Sequence, residues 1–230
     1  MAARAAPAVR YAVRMGDGRP AIPEGLARGG VVAIARRTTP DTAPVLADAL
    51  AAGGIGAFEI TLNDPIDRAL LGIEAVASRS SGLDVGAGTV LTIEAAQAAI
   101  NAGATFLVMP HTDPELVAWA AERLIPALPG AATPTEILAA WRAGAAAVKV
   151  FPASSLGATF LRELRGPLPD IPLVPTGGVT AETAGAFITA GAIAVGLGSW
   201  LVGDGAPDGV TSRARRVVAA VAAARDGRPQ

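Results

Sequence analysis

The chain has 230 residues and a formal net charge of −1, which gives no basic surface for nucleic acid or anionic lipid. It is 51% hydrophobic but only 4% aromatic, so Ala, Val, Leu and Ile must fill the core. With no cysteine there is no disulfide, thiolate nucleophile or thiolate metal site, a composition that fits a cytoplasmic protein. No apolar stretch reaches the roughly 18 residues needed to span a bilayer, so no membrane partner is expected.

Residues 1–22 are rich in Arg and Ala and poor in acids. They read as a loosely ordered extension that leads into a short helix. Such a segment could be called a transit peptide, but the apolar segment of a secretory signal is missing. From residue 23 to residue 230 no linker-like stretch divides the chain, and one domain is expected. Apolar, β-branched runs fall at 31–35 (VVAIA), 55–62, 83–88, 105–110, 125–130, 146–151, 171–176 and 192–197. Alanine-rich helical segments lie between them, beginning on Thr or Asp and closing on Gly, the expected caps. Gly53, Gly103, Gly144 and Gly191 repeat the same closing signature. Eight such strand–helix units predict an α/β protein, a single (β/α)8 TIM barrel with an N-terminal extension. A doubly wound open sheet is the alternative.

In a barrel strand, alternate side chains face the interior. Over 55–62, Phe58, Ile60 and Leu62 form one face, which leaves Glu59 on the other. Over 146–151, Val148 and Val150 face the helices, so Ala147, Lys149 and Phe151 point inward. Glu59 and Lys149 therefore share the interior, near the C-terminal strand ends where barrel enzymes place their chemistry. Lys149 is the chain's only lysine among 19 basic residues. Arginine stays protonated at ordinary pH, whereas an ammonium in an apolar pocket can become a free amine, the nucleophile that forms a Schiff base with a ketone. A nearby carboxylate can shuttle the protons. Two structural readings stand beside this one: a buried Lys–Glu ion pair, and a lysine whose amine reaches solvent from the strand end.

Glycine-rich turns follow the seventh and eighth runs, at Thr176–Gly177–Gly178 and Gly196–Leu197–Gly198–Ser199. Loops at these two places commonly cradle a phosphate, with backbone N–H groups and a hydroxyl as donors. Ordinary tight turns would look alike. Thr89 lies at the mouth of the third strand, where its hydroxyl could meet a substrate carboxylate or carbonyl. Arg36 ends the first strand as a carboxylate clamp, and Arg37 beside it reads as solvated. Pro110 at the end of the fourth strand and Phe151 beyond Lys149 complete the expected substrate-binding set. His111, the single histidine, reads as a rim residue, with substrate contact as the alternative. One histidine and no carboxylate cluster give no metal site. Trp119 and Trp141 read as packing residues, and Trp200 as packing or a subunit contact.

The segments FEITLNDP, GAGTVL, PGAATPTE, VKVFPAS, PTGGV and GLGSWLV are collinear. Together they resemble the signature segments of the class I 2-keto-3-deoxy-6-phosphogluconate aldolases and the related 4-hydroxy-2-oxoglutarate and 2-keto-3-deoxy-6-phosphogalactonate aldolases. The resemblance runs from about residue 30 to residue 203. It implies a homotrimeric, metal- and cofactor-independent barrel that cleaves a phosphorylated 2-keto-3-deoxy sugar acid to pyruvate and glyceraldehyde 3-phosphate. Lys149 would match the family's Schiff-base lysine and Glu59 its acid/base. Thr89 would match a contact to the pyruvate end, and Gly177, Gly178 and Ser199 the phosphate site. Asn63, where the phosphogluconate branch has arginine, resembles the phosphogalactonate branch, as does the segment around Arg36. Thr176 instead resembles the phosphogluconate enzymes, so the preference at C4 stays open between the two. The same residues also suit a phosphate-binding barrel of another class, such as an isomerase or non-covalent decarboxylase, or a non-catalytic sugar-phosphate binder.

Overall fold

The computed structural model describes residues 18–62, 65–79 and 82–227. Residues 1–17 of the expected extension, and Asn63, lie outside the described residues. The described chain opens on a short helix, α1 (Glu24–Gly29), and enters β1 (Val31–Ala35). Strands and helices then alternate through α2 (Thr42–Ala52), β2 (Ala57–Thr61), α3 (Ile66–Ala77), β3 (Asp84–Gly88), α4 (Ile93–Asn101), β4 (Phe106–Val108) and α5 (Pro114–Glu122). Next come β5 (Ala127–Leu128), β6 (Gly130–Ala131), α6 (Pro134–Arg142), β7 (Val148–Val150), α7 (Ala153–Leu164), β8 (Leu173–Pro175), α8 (Ala181–Thr189) and β9 (Val195–Leu197). A single turn, α9 (Ser199–Val202), and a long helix, α10 (Pro207–Asp226), complete the chain.

The strands form two parallel sheets, ordered β5-β4-β3-β2-β1-β9 and β6-β7-β8. The run expected over 125–130 is divided between both sheets. Pro129 interrupts it, because proline has no N–H to give to a ladder. Its carbonyl still accepts from Lys149 N at 2.9 Å, so the chain stays beside β7. At the other edge Thr176 bridges to Gly196, next to β8 and β9. The result is an α/β fold on a curled parallel sheet with helices outside it.

Local signals explain several helix starts. The Thr92 side chain accepts from Ala95 N at 3.2 Å, and Thr133 and Glu136 form a reciprocal capping box on α6. Asp41, expected to cap α2, makes no side-chain cap bond; Thr39 and Thr42 bond each other there instead. Gly103, Gly144 and Gly191 take positive φ after their helices. At the first unit Gly54, not Gly53, does so, with φ +90°. Gly53 serves close packing: a Cβ there would lie 2.3 Å from the Ala214 Cβ on α10.

Strand alternation divides the core in two. Phe58, Ile60, Val148 and Val150 pack outward with the helices. Val32, Ala57, Phe106, Leu128, Ala147 and Val174 form a smaller inner cluster, with Leu26 of α1 among them. α1 crosses the N-terminal strand ends, where Gly25 N donates to Asp84 Oδ2 at 2.8 Å. Burial pushes the Asp84 carboxyl above its ordinary range, against the pull of that hydrogen bond. The inner face is thus apolar and plugged at one end. Polar side chains are left to the other.

Candidate active site

Moving along β1, β2 and β7 toward their C-terminal ends, the inner positions bring polar side chains after the apolar ones. Val32 is followed by Ile34 and Arg36, Ala57 by Glu59 and Thr61, and Ala147 by Lys149 and Phe151. There a cavity of about 240 Å³ opens, and Arg36, Glu59, Lys149 and Phe151 line it. The strand parity read from sequence brings these side chains together.

Lys149 is 8% exposed and Glu59 1%. Glu59 Oε2 is buried and has no hydrogen-bond partner among the described residues. Burial pushes this carboxyl above its ordinary range, while the charges of Lys149 and Arg36 act in the opposite direction. Desolvation is the larger effect, as expected for a carboxylate with nearby cations but no direct donor. Lys149 Nζ lies 5.2 Å from the centre of the Phe151 ring. An unpartnered buried oxygen facing a cavity costs stability, and a site that must handle protons is one reason to keep it.

The pyruvate-end candidates also reach the cavity. Thr89 lines it from a left-handed backbone conformation, φ +58°, uncommon for threonine. Such strain often marks a functional position. Pro110 forms part of the wall. A Cβ on Gly130 would sit 2.4 Å from the Pro110 carbonyl oxygen, so glycine allows this close approach.

The glycine turns form the opposite wall. Gly177 and Gly178 take φ +95° and +73°. Their N–H groups donate to no backbone carbonyl among the described residues. The turn is pinned from α7: Ala153 N donates to Thr176 O at 2.8 Å, and Ser154 N to Gly177 O at 2.9 Å. Thr176, 5% exposed, donates from Oγ1 to Val174 O at 3.2 Å. Gly198 and the exposed Ser199 lie at the start of α9, and Arg36 Nη1 would be 3.1 Å from a Cβ on Gly198. Cations, unfilled N–H groups and a hydroxyl thus face the same space.

Sequence reasoning missed four lining residues: Ile34, Val179, Thr180 and Trp200. Ile34 could have been found from its parity with Arg36. Trp200 packs against the core, as one of its two readings held, but it also lines the cavity. His111 is exposed and is not a lining residue. Trp119 and Trp141 pack partly buried against the outer core, each with an arginine over its ring. Arg37 is exposed beside a neighbouring groove. Among the described residues no three acidic or histidine side chains gather to hold a metal ion, and no helix is long and apolar enough to cross a membrane.

The family model described as KDPG and KHG aldolase matches residues 22–211. The 2-dehydro-3-deoxy-phosphogluconate aldolase of Pseudomonas aeruginosa is 39% identical over 158 residues, covering 68% of this chain and 71% of that one. A solved structure described as native KDPGal superposes with a TM-score of 0.79 at 34% identity, over 85% of this chain and 96% of the other. The KDPG aldolase of Legionella pneumophila, solved with pyruvate captured as a covalent carbinolamine, superposes at 0.74 with 29% identity, over 84% and 96% of the two chains.

Proposed function

The chain belongs to the KDPG and KHG aldolase family, and from that premise we propose that it is a class I, lysine-dependent aldehyde-lyase. Its substrate is a 2-keto-3-deoxy-6-phospho sugar acid, and its products are pyruvate and glyceraldehyde 3-phosphate. The observation that carries this reading is the placement of the chain's single lysine, Lys149, and the buried carboxyl of Glu59, whose Oε2 has no hydrogen-bond partner among the described residues, around one cavity. The covalent carbinolamine in the Legionella relative supports the same chemistry.

Lys149 Nζ adds to the C2 ketone, and loss of water gives an imine. The C4 hydroxyl yields its proton to the Glu59 carboxylate as the C3–C4 bond breaks. The bonding pair moves toward the imine, leaving an enamine on Lys149 and releasing the phosphorylated aldehyde. C3 then takes a proton back from Glu59, and water hydrolyses the imine to pyruvate and free amine. A carboxyl raised by burial is better matched than an ordinary one to accept and return a proton near neutral pH.

Thr89 and Arg36 hold the pyruvate carboxylate, and Pro110, Phe151 and Thr176 shape the walls. Gly177, Gly178, Gly198 and Ser199 receive the phosphate through backbone N–H groups and the serine hydroxyl. The reaction needs no resident cofactor in this scheme, since the imine is itself the electron sink. The two sheets, joined at Pro129 and at the Thr176–Gly196 bridge, are read as one closed (β/α)8 barrel spanning 23–230. The enzyme works in the cytoplasm in carbohydrate metabolism as a homotrimer; the exposed Leu71 and Leu91, 53% and 51% accessible, suit subunit contacts.

The test is turnover in the presence of a metal chelator. Pyruvate should be released from the phosphogluconate-type acid, from its C4 epimer, or from both, and more slowly from 4-hydroxy-2-oxoglutarate. No pyruvate from any of the three would contradict the proposal.

A further inference from the structure

α9 is one helical turn, and a single turn is not stable unaided, because it fixes several dihedrals for very few hydrogen bonds. Its first residues, with Gly198, line the cavity, while its last carbonyls lead toward α10. There Arg213 Nε donates to Leu201 O at 2.8 Å, and Arg213 Nη2 donates to Val202 O at 3.0 Å. Carbonyls of this kind have no partner within their own helix, and a cation beside them is favoured by their partial negative charge. The backbone leaves room for the guanidinium. Gly203 turns to φ +58°, and a Cβ there would lie 2.6 Å from Arg213 Nη2. One turn along α10, Arg216 sits over the Trp200 ring at 5.5 Å and is paired with Glu182. That pair is more than half exposed and adds little by itself. Arg213 is the firmer tie.

We infer that Arg213 is a positioning residue for the anion-binding end of the cavity. It does not line the cavity. It acts through α9, fixing the direction in which the Ser199 hydroxyl and the adjacent N–H groups face the ligand. This inference rests on the reading of Gly177, Gly178, Gly198 and Ser199 as the phosphate cradle. A planar, two-donor group is what the geometry uses, so lysine can satisfy only part of it.

The experiment compares Arg213→Gln and Arg213→Lys with the wild type on two substrates, the 6-phosphorylated keto-deoxy acid and its unphosphorylated counterpart. In Arg213→Gln, KM for the phosphorylated acid should rise about tenfold, the scale expected when positioned donors are slightly misaimed. Its kcat, and both constants for the unphosphorylated acid, should stay within about threefold. Arg213→Lys should fall between, and Gly203→Ala, which intrudes on the same guanidinium, should reproduce the KM effect. If Arg213→Gln does not fold, the lysine and Gly203 variants carry the comparison. Equal losses on both substrates, or an unchanged KM for the phosphorylated acid, would overturn the inference while leaving the aldolase reading intact. A wild-type enzyme with no preference for the phosphorylated acid would overturn the cradle reading and the inference together.

Discussion

Glu59 occupies the space that Gly88 leaves empty: a Cβ on Gly88 would lie 1.8 Å from Glu59 Oε1. The two residues sit on neighbouring strands, where Thr61 pairs with Gly88 and Glu59 with Gly86. Glycine on β3 is therefore what lets a long acidic side chain lie along the inner face. Gly88→Ala should displace the Glu59 carboxyl. An overpacked interior position costs about 1–3 kcal/mol, and a catalytic group moved by an ångström loses about a hundredfold in rate. Thermal melting and kcat measured on one preparation check both. Wild-type kcat in a folded Gly88→Ala enzyme would mean that Glu59's position does not matter to the reaction.

Glu59→Gln keeps the shape and removes the proton carrier. Its kcat should fall about 10²- to 10⁴-fold, the range for a lost general acid–base. Stability should respond to pH in a defined direction. The folded-state carboxyl lies above its ordinary 4.5, so the folded protein binds the proton more tightly than the unfolded chain does. Glu59 thus stabilises the fold below about pH 4.5 and loses that contribution as pH rises through the folded value. The glutamine variant should lack this decline, so its advantage over the wild type should grow from mildly acidic toward neutral pH. Denaturant titrations at several pH values show whether it does.

Lys149→Arg keeps a cation in the cavity but not a nucleophile. Turnover should drop to background while the folded structure persists, as read by circular dichroism and a melting curve. Substantial residual turnover would favour the non-covalent alternatives, in which the charge alone acts.

Gly178→Ala tests the anion end directly. Its φ of +73° disfavours any side chain, and a Cβ would lie 2.6 Å from the Ser154 Cβ. KM for the phosphorylated acid should rise about tenfold or more, since a misdirected N–H is a lost donor to an anion. Borohydride trapping of pyruvate, which carries no phosphate, should be unaffected. A matching loss in trapping would locate the damage in the whole cavity rather than at its phosphate end.

Alternation in short strands carried most of what the sequence disclosed. The parities of Phe58–Glu59 and Val148–Lys149 suffice to aim both polar groups inward, because neighbouring side chains on a strand face opposite sides. The Gly177–Gly178 pair also declared itself, since only glycine adopts consecutive positive φ at no cost. Contacts set by tertiary packing were hidden. Gly53 reads as a helix terminator and does cap the end of α2, but its close contact with Ala214 shows only in the fold. Trp200 reads as packing or a subunit contact, and only the fold shows that the single turn of α9 also brings it to the cavity. The Pro129 break and the Thr39–Thr42 bonds at the start of α2 have local causes, but which sheet each half of the 125–130 run joins depends on the neighbours the backbone meets, and local spacing does not encode that.

The central claim is that Lys149 forms a covalent bond to its substrate, and the most direct measurement is reductive trapping. The protein is incubated with pyruvate and borohydride, digested and analysed by mass spectrometry. A carboxyethyl adduct, the secondary amine left when the pyruvate imine is reduced, on the peptide containing Lys149, absent without pyruvate and absent in Lys149→Arg, is the expected result. An unlabelled Lys149 peptide, under conditions that label a control lysine aldolase, would contradict the account.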